Sequence, residues 1–198
     1  LDLGGGLGIP YEGETQPTPS EYAEMVKRVT AVVDCELVFE PGRVIVGNAG
    51  VLVSRVLYIK ESAGHTFTVL DAAMNDLLRP SLYDAHHAIV PVRESAADTD
   101  FHPTDIVGPI CESGDVFAHG RPMPPLVTDD LLVIRTAGAY GAVMSSNYNS
   151  RPLAAEVLVN GDIFEIVRRH QTNEEMLVLE EMPSWFDDRN VSRTRGVA

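Results

Sequence analysis

Five short runs in this 198-residue chain carry residue types that can do chemistry. Gly4-Gly5-Gly6 follows what reads as the end of a strand. Glycines let several backbone N–H groups converge on an oxyanion with no Cβ in the way, so the run is either a phosphate cradle or a flexible turn. Glu40-Pro41-Gly42-Arg43 also closes an apolar run. A carboxylate at a strand's C-terminal end can accept from a ring N–H, and an arginine can grip a carboxylate with two N–H groups. The same four residues also suit a turn with a surface salt bridge. Arg79 and Tyr83 stand four apart and share a face if the segment is helical; together they could bind one anion, or the arginine could lie solvated on the ring. Cys111-Glu112-Ser113-Gly114-Asp115 places a thiol and two carboxylates near a glycine, a set capable of acid–base work, although a lone cysteine is also a common small core residue. Tyr140 is ringed by Gly138, Ala139 and Gly141, which suits a phenol reaching a ligand through a narrow gap or a plain structural corner. The adjacent pair His86-His87 must point two ways, and no His/Cys/Asp set has zinc spacing, so no metal is assigned.

The elements that would position these runs change character along the chain. Thr18-Pro19-Ser20-Glu21 is a capping box with proline at the first helical position, and Tyr22, Met25, Val26, Val29 and Val33 then fall on one helical face. A short buried strand is expected over 37–39. Strand, loop, helix, strand is the grammar of a parallel α/β unit, whose ligands sit at the C-terminal ends of the strands. After about Gly50 the pattern becomes Val/Ile/Leu-rich runs at 51–60, 66–72, 105–111, 130–136 and 156–168, separated by turn residues; Asn160-Gly161 is a strong hairpin signal. Loops are expected over 95–103 and 119–125, a loop or interface over 145–151, and a surface tail over 182–198.

The composition sets outer limits. A net charge of −14 argues against nucleic acid or an anionic membrane as partner. Two cysteines, Cys35 and Cys111, make no disulfide framework and suit a reducing cytoplasm. The most apolar stretch, 44–59, is broken by Gly47, Asn48, Gly50, Ser54 and Arg55 and is not expected to span a bilayer.

The order and spacing of the five runs resemble the diaminopimelate decarboxylases, which are pyridoxal 5'-phosphate (PLP) enzymes with an alanine-racemase-like barrel. The likeness covers nearly the whole chain. The glycine run, Glu-Pro-Gly-Arg and Cys-Glu-Ser-Gly-Asp are shared with ornithine and arginine decarboxylases, whereas Arg79-Pro80-Ser81-Leu82-Tyr83 and Met144 to Asn149 are more particular to the diaminopimelate branch. The resemblance implies an α/β plus β fold. Residues 1–48 would be the last elements of a PLP-binding (β/α)8 barrel, and 49–198 a mainly antiparallel β-barrel or sandwich domain contributing substrate and dimer-interface residues.

It also implies roles. Gly5 and Gly6 would hold the cofactor phosphate, with Glu40 on the pyridinium nitrogen and Pro41, Gly42 and Arg43 beside it. Arg43, Arg79 and Tyr83 would bind the distal substrate carboxylate, Glu112 the distal ammonium, and Tyr140 both cofactor and substrate. Cys111, the expected proton donor, and Glu112 would enter the site of the other subunit of a homodimer. The implied activity is decarboxylation of meso-2,6-diaminopimelate to L-lysine, in the cytoplasm. The family also needs a lysine that attaches the cofactor. Only Lys27 and Lys60 occur here, and neither has a family motif around it. The chain is therefore expected to be a piece of a longer enzyme and inactive alone. The alternatives are an ornithine- or arginine-type decarboxylase and a non-catalytic regulatory relative.

Overall fold

A computed structural model describes residues 1–186. The chain forms two compact units, Leu1–Ser146 and Asn147–Ala198.

In the first unit, the opening residues pair with 36–40 in parallel: Asp2 bridges to Val38, Leu3 N–H donates to the Val38 carbonyl at 3.0 Å, and Val38 N–H donates to Leu1 at 2.9 Å. The buried strand expected over 37–39 is thus a single bridge, and Val38 is 46% exposed. A parallel pair is buried only when strands and helices cover it, and no described strand flanks this one. Helix α1, Pro19–Thr30, starts at the capping box as expected: the Thr18 hydroxyl accepts from Glu21 N–H and the Glu21 carboxylate accepts from Thr18 N–H at 2.8 Å. Donation from the Thr18 N–H, and from its hydroxyl at 2.9 Å, holds the Glu21 carboxyl below the usual range. Of the expected apolar face only Val26 is buried, and Val33 lies past the helix end. A short α2, Arg43–Val46, and a 3-10 turn, Gly47–Ala49, lead into the sheet.

The sheet has six strands: β1 (Leu52–Ser62), β2 (His65–Leu70), β3 (Ile89–Pro91), β4 (His102–Val107), β5 (Val116–Met123) and β6 (Leu131–Ile134), in the order β3-β6-β1-β2-β4-β5. All pairs are antiparallel except β2 with β4. The long β1 serves two partners. Leu52–Arg55 pairs with β6, the remainder with β2, and the register slips between Val56 and Tyr58 after the change of partner. Val56, Leu70, Ile106, Leu132 and Ile134 form the dry centre of the core, joined by Leu77 from the connection that carries helix α3, Arg79–Tyr83.

Two further sequence expectations are corrected, and one strand leaves no signal. The loop placed over 119–125 is largely strand β5, whose Pro122 faces Pro103 of β4. Since β5 is the edge strand, its proline leaves no inner ladder bond unmade. The strand placed at 105–111 runs instead over His102–Val107, so Cys111 belongs to the β4–β5 turn. Strand β3 is too short to leave a pattern.

In the second unit, β7 (Glu156–Asn160) and β8 (Ile163–Arg168) make the expected hairpin, with Asn160 opposite Ile163 and Gly161 at φ +60°. A second capping box, Thr172 with Glu175, starts α4 (Asn173–Leu177), and the Arg169 guanidinium holds the Glu175 carboxyl down at about 2. Residues 187–198 of the expected tail lie outside the described residues. No helix among the described residues is long and apolar enough to cross a membrane.

One buried carboxylate organises the β4–β5 turn. Asp115 accepts from Met74 N–H at 2.7 Å and Ile110 N–H at 2.8 Å, and its own carbonyl accepts from Gly108 N–H at 3.0 Å. A Cβ on Gly108 would strike this carboxylate. The turn is pinned to the α3 connection a second time, by Ser81 Oγ donating to the Gly114 carbonyl at 2.5 Å. Asp115→Ala strands two N–H donors. It should lower stability by about 3 kcal/mol, read as a lower denaturant midpoint at unchanged slope; an unchanged midpoint would contradict this role.

Candidate active site

The glycine loop is shaped by the backbone it touches. Gly4 and Gly6 sit at φ +65° and +74°, which glycine alone adopts without strain. Gly4 N–H donates to Asp2 Oδ1 at 2.8 Å, and its carbonyl accepts from Glu40 N–H at 2.9 Å. A Cβ on Gly5 would collide with the Glu40 carbonyl oxygen. The loop and Glu40-Pro41 therefore lie backbone against backbone.

Glycines are closely approached at the next junctions too, by a side chain at Gly47 and by backbone at Gly138. A Cβ on Gly47 would strike Ile9 Cδ1 and would lie 3.5 Å from Arg43 Cγ. Buried Ile9, three residues past the loop, thus packs where α2 carries Arg43. Gly138 approaches the far end of α2 so closely that a Cβ would hit the Val46 carbonyl. Gly138 N–H donates to Gly47 at 3.1 Å and Ala137 N–H to Gly50 at 2.8 Å. Tyr140, two residues on, is 48% exposed and has φ +58°. A bulky residue rarely adopts this conformation, so the corner holds the phenol against a local cost of about 1–3 kcal/mol.

The N-terminal segment then reaches α3. Arg79 is 9% exposed, and its guanidinium lies 4.8 Å from the centre of the Tyr11 ring. Its Nη1 is 3.0 Å from His87 Nε2. The His87 Nδ1 is 2.8 Å from the Arg135 carbonyl, which can only accept, so Nδ1 carries the hydrogen and Nε2 accepts from Arg79. Burial first, and then the nearby Arg79 charge, push the His87 pKa down against the raising effect of the Arg135 bond, in line with the neutral ring that these two hydrogen bonds require. His86 faces the other way, within 3.6 Å of Glu12 and 3.2 Å of Arg121, so the adjacent pair does diverge.

These contacts link the glycine loop to Glu40, Arg43 and Arg79 through one N-terminal segment, and the end of α2 to the corner that carries Tyr140. Cys111 and Glu112 lie on the Asp115-centred turn, with Cys111 exposed. Glu112 Oε1 accepts from Gly114 N–H at 3.1 Å. The segment is helical, so Tyr83 shares the helix of Arg79, but Tyr83 is 63% exposed where Arg79 is buried. Among the described residues no carboxylate pairs with Arg43 or Arg79, and Glu40 pairs with no cation. The surface salt bridge that Glu40-Pro41-Gly42-Arg43 allowed is therefore not formed. No group of three or more metal-binding side chains occurs among the described residues. Sequence reasoning missed Tyr11, His87 and the structural role of Asp115. The only hint was the adjacent histidine pair.

Residues 22–138 match the family model described as the pyridoxal-dependent decarboxylase C-terminal sheet domain. The diaminopimelate decarboxylase of Zymomonas mobilis is 51% identical over 187 residues, covering 93% of this chain and 44% of the relative. The solved structure of diaminopimelate decarboxylase from Helicobacter pylori complexed with L-lysine superposes with a TM-score of 0.84 at 40% identity, covering 90% of this chain and 44% of that one. A lysine/ornithine decarboxylase from Vibrio vulnificus complexed with cadaverine gives a TM-score of 0.67 at 25% identity, over 75% of this chain and 40% of that one. The chain thus spans under half the length of the relatives it matches.

Gly138→Ala tests the close approach on which the site rests. It should speed amide exchange at residue 137 by about 10-fold or more as the bond to Gly50 opens; unchanged protection would contradict the contact. From the family match and the shared architecture, the chain belongs to the pyridoxal-dependent decarboxylases, matching them through their C-terminal sheet domain.

Proposed function

We propose that this chain is the C-terminal part of a diaminopimelate decarboxylase, which uses pyridoxal 5'-phosphate to convert meso-2,6-diaminopimelate to L-lysine and carbon dioxide in the last step of lysine biosynthesis. The observation that carries the reading is a set of unpaired charges beside a glycine loop. In a chain of net charge −14, Arg43 and Arg79 find no carboxylate and Glu40 no cation among the described residues. The stronger likeness to diaminopimelate decarboxylases than to the lysine/ornithine enzyme favours the diaminopimelate branch.

The residues present fit the cofactor. Gly5 and Gly6 give a surface free of side chains, closed on one side by the Glu40 backbone, where N–H groups can meet a phosphate. The unpaired Glu40 carboxylate suits a protonated ring nitrogen, with Pro41 and Gly42 setting its backbone. When bound, pyridoxal phosphate supplies an electron sink for the pair left behind by carbon dioxide. Arg43, Arg79 and Tyr83 bind the carboxylate at the unreacted end of the substrate, and Glu112 its ammonium. The strained corner presents Tyr140 to cofactor and substrate. Cys111 Sγ delivers the proton that completes the product. In this reading Cys111 and Glu112 act in the site of a second copy of the chain, which makes the enzyme a homodimer with shared sites; the location is cytoplasmic.

Two substitutions in the full-length enzyme test this. Arg79→Ala should raise KM for meso-diaminopimelate about 100-fold, the loss of one charge-assisted carboxylate contact, with cofactor affinity little changed; equal loss of both would contradict the role. Cys111→Ala should lower kcat at least ~100-fold while substrate still binds; unchanged turnover would dismiss Cys111 as the acid.

A further inference from the structure

We infer that His87, through its neutral ring, is the positioning residue that aims Arg79 at the distal carboxylate of the substrate; the inference rests on the reading that Arg79 takes that carboxylate. His87 is fully buried and joins two elements distant in sequence. Its Nδ1–H donates to the Arg135 carbonyl, which follows β6, and this bond leaves the Nε2 lone pair facing Arg79 Nη1. Tyr11 completes the mount. Its ring stands edge-on to His87, with centroids 5.4 Å apart and planes at 81°, and lies beneath the Arg79 guanidinium.

The chemistry of the mount is selective. A carboxylate at the position of His87 would neutralise Arg79 and compete with any anionic ligand. A neutral acceptor takes one N–H and leaves the charge uncompensated. A planar guanidinium held at one edge and on one face has little freedom left, so less entropy is lost when it meets a ligand. Burial of His87 and its closeness to Arg79 disfavour the imidazolium, which could not accept the bond. The Tyr11 hydroxyl is buried and finds no hydrogen-bond partner among the described residues, so the ring is held for its face.

The test compares two polar replacements in the full-length holoenzyme, His87→Gln and His87→Asn. Glutamine reaches the Nε2 position and can accept from Arg79; asparagine reaches only the Nδ1 position and keeps the Arg135 bond. Inhibition constants are measured for L-lysine and cadaverine, which differ by one carboxylate, together with cofactor affinity and melting temperature. The expected result is that His87→Asn weakens lysine about 10-fold with cadaverine within twofold, and that His87→Gln recovers most of the loss even where it melts lower. If both variants shift lysine and cadaverine equally, or shift neither, or neither folds, His87 is a core residue only and the inference is overturned. Arg79→Ala is run alongside. If it too fails to distinguish lysine from cadaverine, the assignment of Arg79 itself has failed; if it alone distinguishes them, only the role of His87 has.

Discussion

Three glycines are approached closely, two of them by backbone and one by a side chain, and the candidate site exists because nothing larger is there. At Gly5, Gly47 and Gly138 an added Cβ would strike the Glu40 carbonyl, the Ile9 side chain and the Val46 carbonyl in turn. These approaches draw the glycine loop, the Glu40–Arg43 segment and the Tyr140 corner together, although they are far apart in sequence. The sheet supplies the rigid support. Its core holds Leu77 and hence α3, while Asp115 and Ser81 tie α3 to the turn bearing Cys111 and Glu112. Geometry of this kind tolerates little change, since a methyl group between packed backbones must move one of them.

Charge is the second constraint. An acidic chain has ample carboxylates to pair with its arginines, yet Arg43 and Arg79 are left without one among the described residues. Arg79 is nearly buried, where an unpaired charge is costly, and its support is a neutral histidine and an aromatic face. Such an arrangement makes sense when the missing anion arrives with a ligand, because the cost of burial is then offset on binding. Glu40 poses the mirror-image case for a ring N–H.

Much of this was legible in the sequence because it is local. The Thr18/Glu21 capping box and the Asn160-Gly161 hairpin are each set by neighbours a few residues away. What escaped depends on distant partners. His87 takes its meaning from a carbonyl 48 residues on, and Asp115 from an amide 41 residues back. Strand β5 was hidden by its proline and glycine, which read as a loop until the strand is known to lie at an edge. The strand over 37–39 failed in the opposite sense, since an apolar run reads as buried whether or not its neighbours are there to cover it.

The most direct measurement is a crystal structure of the full-length enzyme with cofactor and L-lysine bound. The account predicts the lysine carboxylate within hydrogen-bond distance of Arg79, Nη1 of Arg79 still on His87 Nε2, and the Glu40 carboxylate on the pyridine nitrogen with the glycine loop at the phosphate. A ligand carboxylate held by other groups while Arg79 faces empty solvent, or a cofactor ring out of reach of Glu40, would contradict it.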